Sequence, residues 1–134
     1  MKKTNVFSVL LLGLSVFAVS LPKSYATDIT HLLSQHIDAP FNEAVEMIKV
    51  RYAPGESSSP HRHNAHTLVY MLEGEVDMQL DGGELTRLLP GDTFYESPED
   101  IHLVSSNPSK DADAVFLVVF IKSQGAPTLV PHTD

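Results

Sequence analysis

The stretch His61-Arg62-His63-Asn64-Ala65-His66-Thr67 decides the fold, because of what is spaced around it. Five residues separate Gly55 from His61, six separate Thr67 from Gly74, and ten separate Gly91 from His102. Side chains alternate along an extended segment, so His61 and His63 project from one face and Arg62 from the other. His102 lies far downstream and reaches them only if the sheet folds back on itself. A closed β-barrel brings distant strands together in this way. The pattern therefore predicts an all-β barrel with a metal site made from separate strands.

Outward from that stretch the chain reads as strand after strand. Residues 46–52 alternate apolar and charged side chains, as a half-buried strand should, and Ala53-Pro54-Gly55 ends them. Residues 67–72 are β-branched, aromatic and aliphatic, and a second alternating run covers 75–80. Asp81-Gly82-Gly83 suits a turn, residues 85–89 return, Pro90-Gly91-Asp92 turns again, and 93–96 begins another strand. Residues 101–105 and the very apolar 114–121 complete a set of short, evenly spaced strands, the mark of a sandwich or barrel. Residues 30–37 fit one short helical turn or an edge strand. The stretch 123–134, with two prolines and a glycine, reads as an arm or a mobile end.

The first 26 residues have a different character. Lys2-Lys3 precede an apolar run over 6–19, and Ser24-Tyr25-Ala26 offers small residues where a signal peptidase cuts. The run is shorter than the roughly 20 residues that span a bilayer. It predicts an exported, periplasmic or secreted protein, cleaved near Ala26, with no membrane contact in its mature form. Cleavage there leaves 108 of the 134 residues and, with Lys2, Lys3 and Lys23 gone, takes the formal charge from −8 to −11. So acidic a chain excludes nucleic acid as a partner held by general electrostatics. With no cysteine, stability must come from packing, to which a bound metal would add, rather than from disulfides. The expected organisation is a signal peptide over 1–26, an arm or edge strand over 27–42, a barrel over 43–122 and a tail over 123–134.

The spaced histidines and glycines resemble the two sequence motifs of the cupins. Local phrases strengthen the likeness: Ala53-Pro54-Gly55, Tyr70-Met71-Leu72-Glu73-Gly74-Glu75-Val76 and Gly91-Asp92-Thr93-Phe94-Tyr95-Glu96. The resemblance covers about 43–121 and implies a conical jelly-roll barrel that holds one metal and commonly pairs as a homodimer. Three details depart from the family. Thr67 stands where it usually has glutamate, Pro98 and Asp100 each sit one place late, and so does Asn107.

Three neutral imidazoles leave a divalent ion its full charge and several open coordination positions. Such a site favours a chelating anionic small molecule: an enolate, a catecholate or a thiolate-containing acid. Imidazole ligation alone does not choose among iron, nickel, copper, zinc and manganese. Some three-histidine cupins are iron dioxygenases for substrates of that kind, so the resemblance implies a metal-dependent, dioxygenase-like enzyme on a small chelating compound, with His61, His63 and His102 as ligands. The alternative is a cupin module that binds or senses a metal or small ligand without catalysis. No catalytic residue is identifiable from sequence, and an isomerase lacks a proton-transfer pair that can be placed in the pocket.

Thr67 and Glu96 are candidates to stand behind the ligands, and Glu96 is also the nearest candidate for a substitute carboxylate, as a ligand or a base. Thr67 reads more simply as a strand residue, and the direction of Glu96 is obscured by the turn at Ser97-Pro98. Alternation sends His66 to the face opposite Thr67, and His31, His36 and His132 lie outside the motif. Val69, Met71, Phe94, Tyr95, Phe116, Val118 and Phe120 are expected to line or pack the barrel.

Overall fold

Strict alternation over two long runs gives the molecule its two-faced walls. In the run 66–73, Thr67, Val69 and Met71 are buried while His66, Leu68 and Tyr70 are exposed. Along 114–123 every second side chain is buried, Ala114, Phe116, Val118, Phe120 and Lys122. The computed structural model describes residues 27–37 and 42–132, so the expected signal peptide over 1–26 lies outside the described residues.

The described elements are all strands. They are β1 (Asp28–Ile37), β2 (Glu43–Tyr52), β3 (His61–Arg62), β4 (His66–Glu73), β5 (Val76–Leu80), β6 (Thr86–Leu88), β7 (Thr93–Glu96), β8 (His102–Ser106), β9 (Ala114–Ser123) and β10 (Val130–Pro131). They form two five-stranded sheets in the orders β1-β2-β9-β4-β7 and β10-β3-β8-β5-β6. Every pairing is antiparallel, which gives the expected jelly-roll sandwich.

Residues 30–37 are part of an edge strand and not a helical turn: β1 pairs along its length with β2 of the same chain. The end of the stretch 123–134, expected as an arm or a mobile end, lies against β3. Val130 and Pro131 pair with Arg62 and His61, and the His132 amide donates to the Pro60 carbonyl. Two residues of pairing between prolines are too short to leave a period in the sequence.

The core lies between the sheets, with Met71, Val76 and Met78 essentially inaccessible beside Val69, Phe116, Val118 and Phe120. Tyr95 does not join it, being 52% exposed, because β7 turns Phe94 and Glu96 inward and Tyr95 out. Gly74 shows why the motif carries a glycine there. Its φ is +72°, and a Cβ would sit 2.2 Å from the Asp113 carbonyl oxygen, where the backbone cannot give way. Asn107 closes the same end of the fold: its buried amide donates to the carbonyls of Tyr52, Ala53 and Ala112.

Candidate metal centre

Pairing register assembles the histidines. β3 lies against β8 with His61 directly opposite His102, and His63 follows two residues later on the same side as His61. All three are buried, and one ligand nitrogen from each lies within 4.8 Å of the others.

Hydrogen bonds fix the chemistry of two of these rings. Nδ1 of His61 is 2.7 Å from the Ser59 carbonyl, and Nδ1 of His63 is 2.8 Å from the Thr128 carbonyl. A carbonyl oxygen has no proton to give, so each Nδ1 carries the hydrogen and each neutral ring presents a bare lone pair at Nε2. Those two Nε2 atoms are 3.2 Å apart. Two lone pairs facing each other repel unless something positive sits between them. Donors about 2.1 Å from one ion stand about 3.0–3.4 Å apart at tetrahedral or octahedral angles, so the spacing suits a shared cation. The Nε2 of His102 is buried without a partner, which adds a third free donor.

Burial pushes the His61 and His63 imidazoles below their ordinary value of 6.5, with the Ser59 and Thr128 carbonyls and Glu96 opposing it in part. Burial thus favours the neutral, ligating form. The sign of the linkage follows. The unfolded chain takes up these two protons at higher pH than the folded one, so acidification favours unfolding. The metal-free protein is expected to lose melting temperature as pH falls from about 6.5 toward the lowered folded values, with no contribution from these rings above that. Melting curves between about pH 8 and about pH 5 check this, and His61→Gln/His63→Gln should flatten the profile.

The second sheet supplies the facing wall. Thr67 pairs with Glu96 across β4 and β7, and both point inward. Thr67 is fully buried, and its hydroxyl makes a long 3.5 Å bond to the Ala65 carbonyl. Glu96, whose direction the sequence left open, is 2% exposed. Its Oε2 is 3.3 Å from His102 Nδ1 and 3.9 Å from His63 Nε2. The signal that would have found it is parity, since Glu96 lies two residues after the inward Phe94 on one strand. As expected, His66 faces away from the site, bonding the Tyr95 hydroxyl through Nδ1 at 2.7 Å on the outer surface. Arg62 is half-buried between the two inward histidines, and His31 is exposed.

Beside this cluster a cavity of about 170 Å³ opens between the sheets. Its walls are mostly apolar, among them Ile48, Val50, Val69, Phe116, Val118 and Phe120. Sequence reasoning missed its other polar spot. The Tyr52 hydroxyl lies 3.0 Å from Ser105 Oγ, and Ser58 Oγ lines the cavity buried and unpartnered. It also missed the support of His63. Thr128, whose carbonyl holds that ring, bonds Glu46 through its hydroxyl at 3.0 Å, and Glu46 in turn pairs with Lys122 at 3.1 Å.

Comparison with known proteins places this geometry in a family. A double-stranded β-helix protein from Klebsiella pneumoniae is similar at 18% identity and a TM-score of 0.64, over 84% of this chain and 90% of that one. The polyketide cyclase RemF from Streptomyces resistomycificus is similar at 22% identity and a TM-score of 0.61, over 81% and 72%. A cupin domain from Bordetella pertussis is similar at 22% identity and a TM-score of 0.57, over 72% and 94%. These likenesses establish the fold and nothing about substrate. No curated protein matches the chain. The family model of the cupin domain matches residues 48–120, which contain all three clustered histidines, and the chain belongs to the cupin family.

Proposed function

We propose that this cupin holds one divalent transition metal through His61, His63 and His102, and acts outside the cytoplasm as an oxygenase-like enzyme on a small chelating compound. The observation that carries the reading is the pair of Nε2 lone pairs 3.2 Å apart, each fixed by a backbone carbonyl, beside a mostly apolar cavity. A bound divalent ion supplies Lewis acidity and, if redox-active, a route for electrons from substrate to dioxygen.

The rest is the work of the chain. The Ser59 and Thr128 carbonyls hold the rings in ligating orientation, as supporting hydrogen bonds do in metal sites generally. The apolar walls keep water from the reacting centre, and Tyr52, Ser58 and Ser105 offer hydrogen bonds to a second polar group of the substrate. Size limits that substrate. A cavity of about 150 Å³ accommodates a benzene ring, so about 170 Å³ takes a short-chain enolate, a single-ring catechol or an aminothiol. Homodimerisation stays part of the proposal, supported by Leu68, Tyr70 and Tyr95 exposed on the outer face of one sheet, and light scattering checks it.

The test is oxygen uptake. Protein loaded with Fe(II) is expected to consume dioxygen with at least one member of a panel of small 1,3-diketones, monocyclic catechols and aminothiols, and His63→Ala is expected to abolish the uptake. Metal bound without uptake, together with an unmodified ligand retained through purification, would favour the non-catalytic binding module.

A further inference from the structure

We propose that Glu96 is a fourth donor to the ion, a negatively charged ligand delivered by the sheet that faces the histidines. This rests on the metal reading above and adds the charge that three imidazoles lack. Glu96 is 2% exposed, and its Oε2 has no hydrogen-bond partner. A carboxylate is rarely buried in that condition, since leaving a charged oxygen unpaired is among the costliest things a core can do. Among the described residues its ion-pair partners are only His63 and His102. Val69 and Phe120, which line the same cavity, have no side-chain hydrogen-bond donor, and the Thr67 hydroxyl opposite donates to the Ala65 carbonyl instead.

The distance to His63 suits a shared ion. Donors about 2.1 Å from one centre are separated by about 3.0 Å when adjacent and about 4.2 Å when opposite. Oε2 lies 3.9 Å from His63 Nε2, inside that range, and 3.3 Å from His102 Nδ1, the nitrogen across that ring from the unpartnered Nε2. Lone pairs converge here from Nε2 of His61, Nε2 of His63 and the carboxylate oxygen, and a neutral His102 adds one more from the nitrogen that carries no hydrogen. Lone pairs that face one another are stable around a cation and strained without one.

The backbone explains how the carboxylate reaches this point. Thr67 and Glu96 are direct cross-strand partners, so their Cβ atoms are about 4.5–5.5 Å apart and address the same space. Thr67 has turned its hydroxyl to the Ala65 carbonyl, which leaves that space to the longer side chain opposite. With Glu96 bound, a divalent ion would carry one net positive charge in a site of three nitrogens and one oxygen. The substrate would then need to supply less negative charge than the histidines alone demand.

Glu96→Gln decides the matter, because the amide keeps the shape and removes the charge. Metal-free protein is titrated with Zn(II) and Co(II) against a chromogenic chelator, and the Co(II) visible spectrum and the melting temperature without metal are recorded. The expected result is Zn(II) and Co(II) affinity weakened about 100-fold, at or above the upper end of what losing a supporting hydrogen bond costs. The Co(II) spectrum is expected to shift, and the metal-free melting temperature to hold or rise, since a buried charge is gone. Affinity within about twofold of wild type and an unchanged Co(II) spectrum would overturn the assignment. Wild-type protein that binds neither ion would instead overturn the metal reading itself, so the two failures are distinguishable.

Discussion

His63→Ala is expected to emerge from purification folded but without metal. The substitution removes one of two nitrogens whose lone pairs face each other at 3.2 Å, so the remaining donors no longer enclose a cation. The loss should exceed the roughly 10–100-fold that removing a supporting hydrogen bond costs a metal site. Stability should suffer less than binding. The Thr128 carbonyl loses its partner and Phe120 loses a ring contact at 5.0 Å, together worth about 1–3 kcal/mol. Melting with and without metal separates the two effects. Metal at 100 times its dissociation constant stabilises a folded protein by about 2.7 kcal/mol. Wild type should show that upward shift and His63→Ala should show none. A folded wild type that gives no shift with Fe(II), Ni(II) or Zn(II) would end the metal reading and leave the ligand-binding module in its place.

The histidine cluster was legible because it depends on two simple regularities. Parity puts His61 and His63 on one face, and spacing to His102 requires a strand that returns beside them; the pairing of His61 with His102 is that return. The long strands were legible for a similar reason, since β4 and β9 each alternate without a break in the buried positions. Their limits moved by up to three residues at the ends, where alternation no longer constrains them.

Reading failed where burial and polarity part company. In Thr93-Phe94-Tyr95-Glu96, hydrophobicity would place Tyr95 inside and Glu96 outside, and β7 does the reverse. Lys122 is another inversion, an ammonium buried at the end of the most apolar strand because Glu46 and the Ala126 carbonyl hold it. Local rules are most often broken at sites that do something beyond packing. At Glu96 the reading left the direction open, and parity from the inward Phe94, which depends only on backbone geometry, gives it.

The tail extends this lesson, and removing residues 127–134 is expected to damage the site while sparing the core. The buried hydrophobic cluster runs from Val50 to Phe120 and takes nothing from the tail, so a truncated chain should still fold. What it loses is the setting of the histidines. The Thr128 carbonyl that holds His63 Nδ1 goes, as do the pairing of Pro131 with His61 and the Leu129 side chain at the cavity. With its Nδ1 partner gone, the His63 ring can rotate or change tautomer, and metal affinity should fall about 10–100-fold. A Thr128→Val control divides the causes. It keeps the backbone carbonyl and removes only the hydroxyl that bonds Glu46, so it should bind metal nearly as wild type does. Should Thr128→Val instead match the truncation, the orienting force would lie in the Lys122–Glu46–Thr128 chain and not in the carbonyl alone. Zn(II) titration of all three proteins, each with a melting curve to establish folding, makes that distinction.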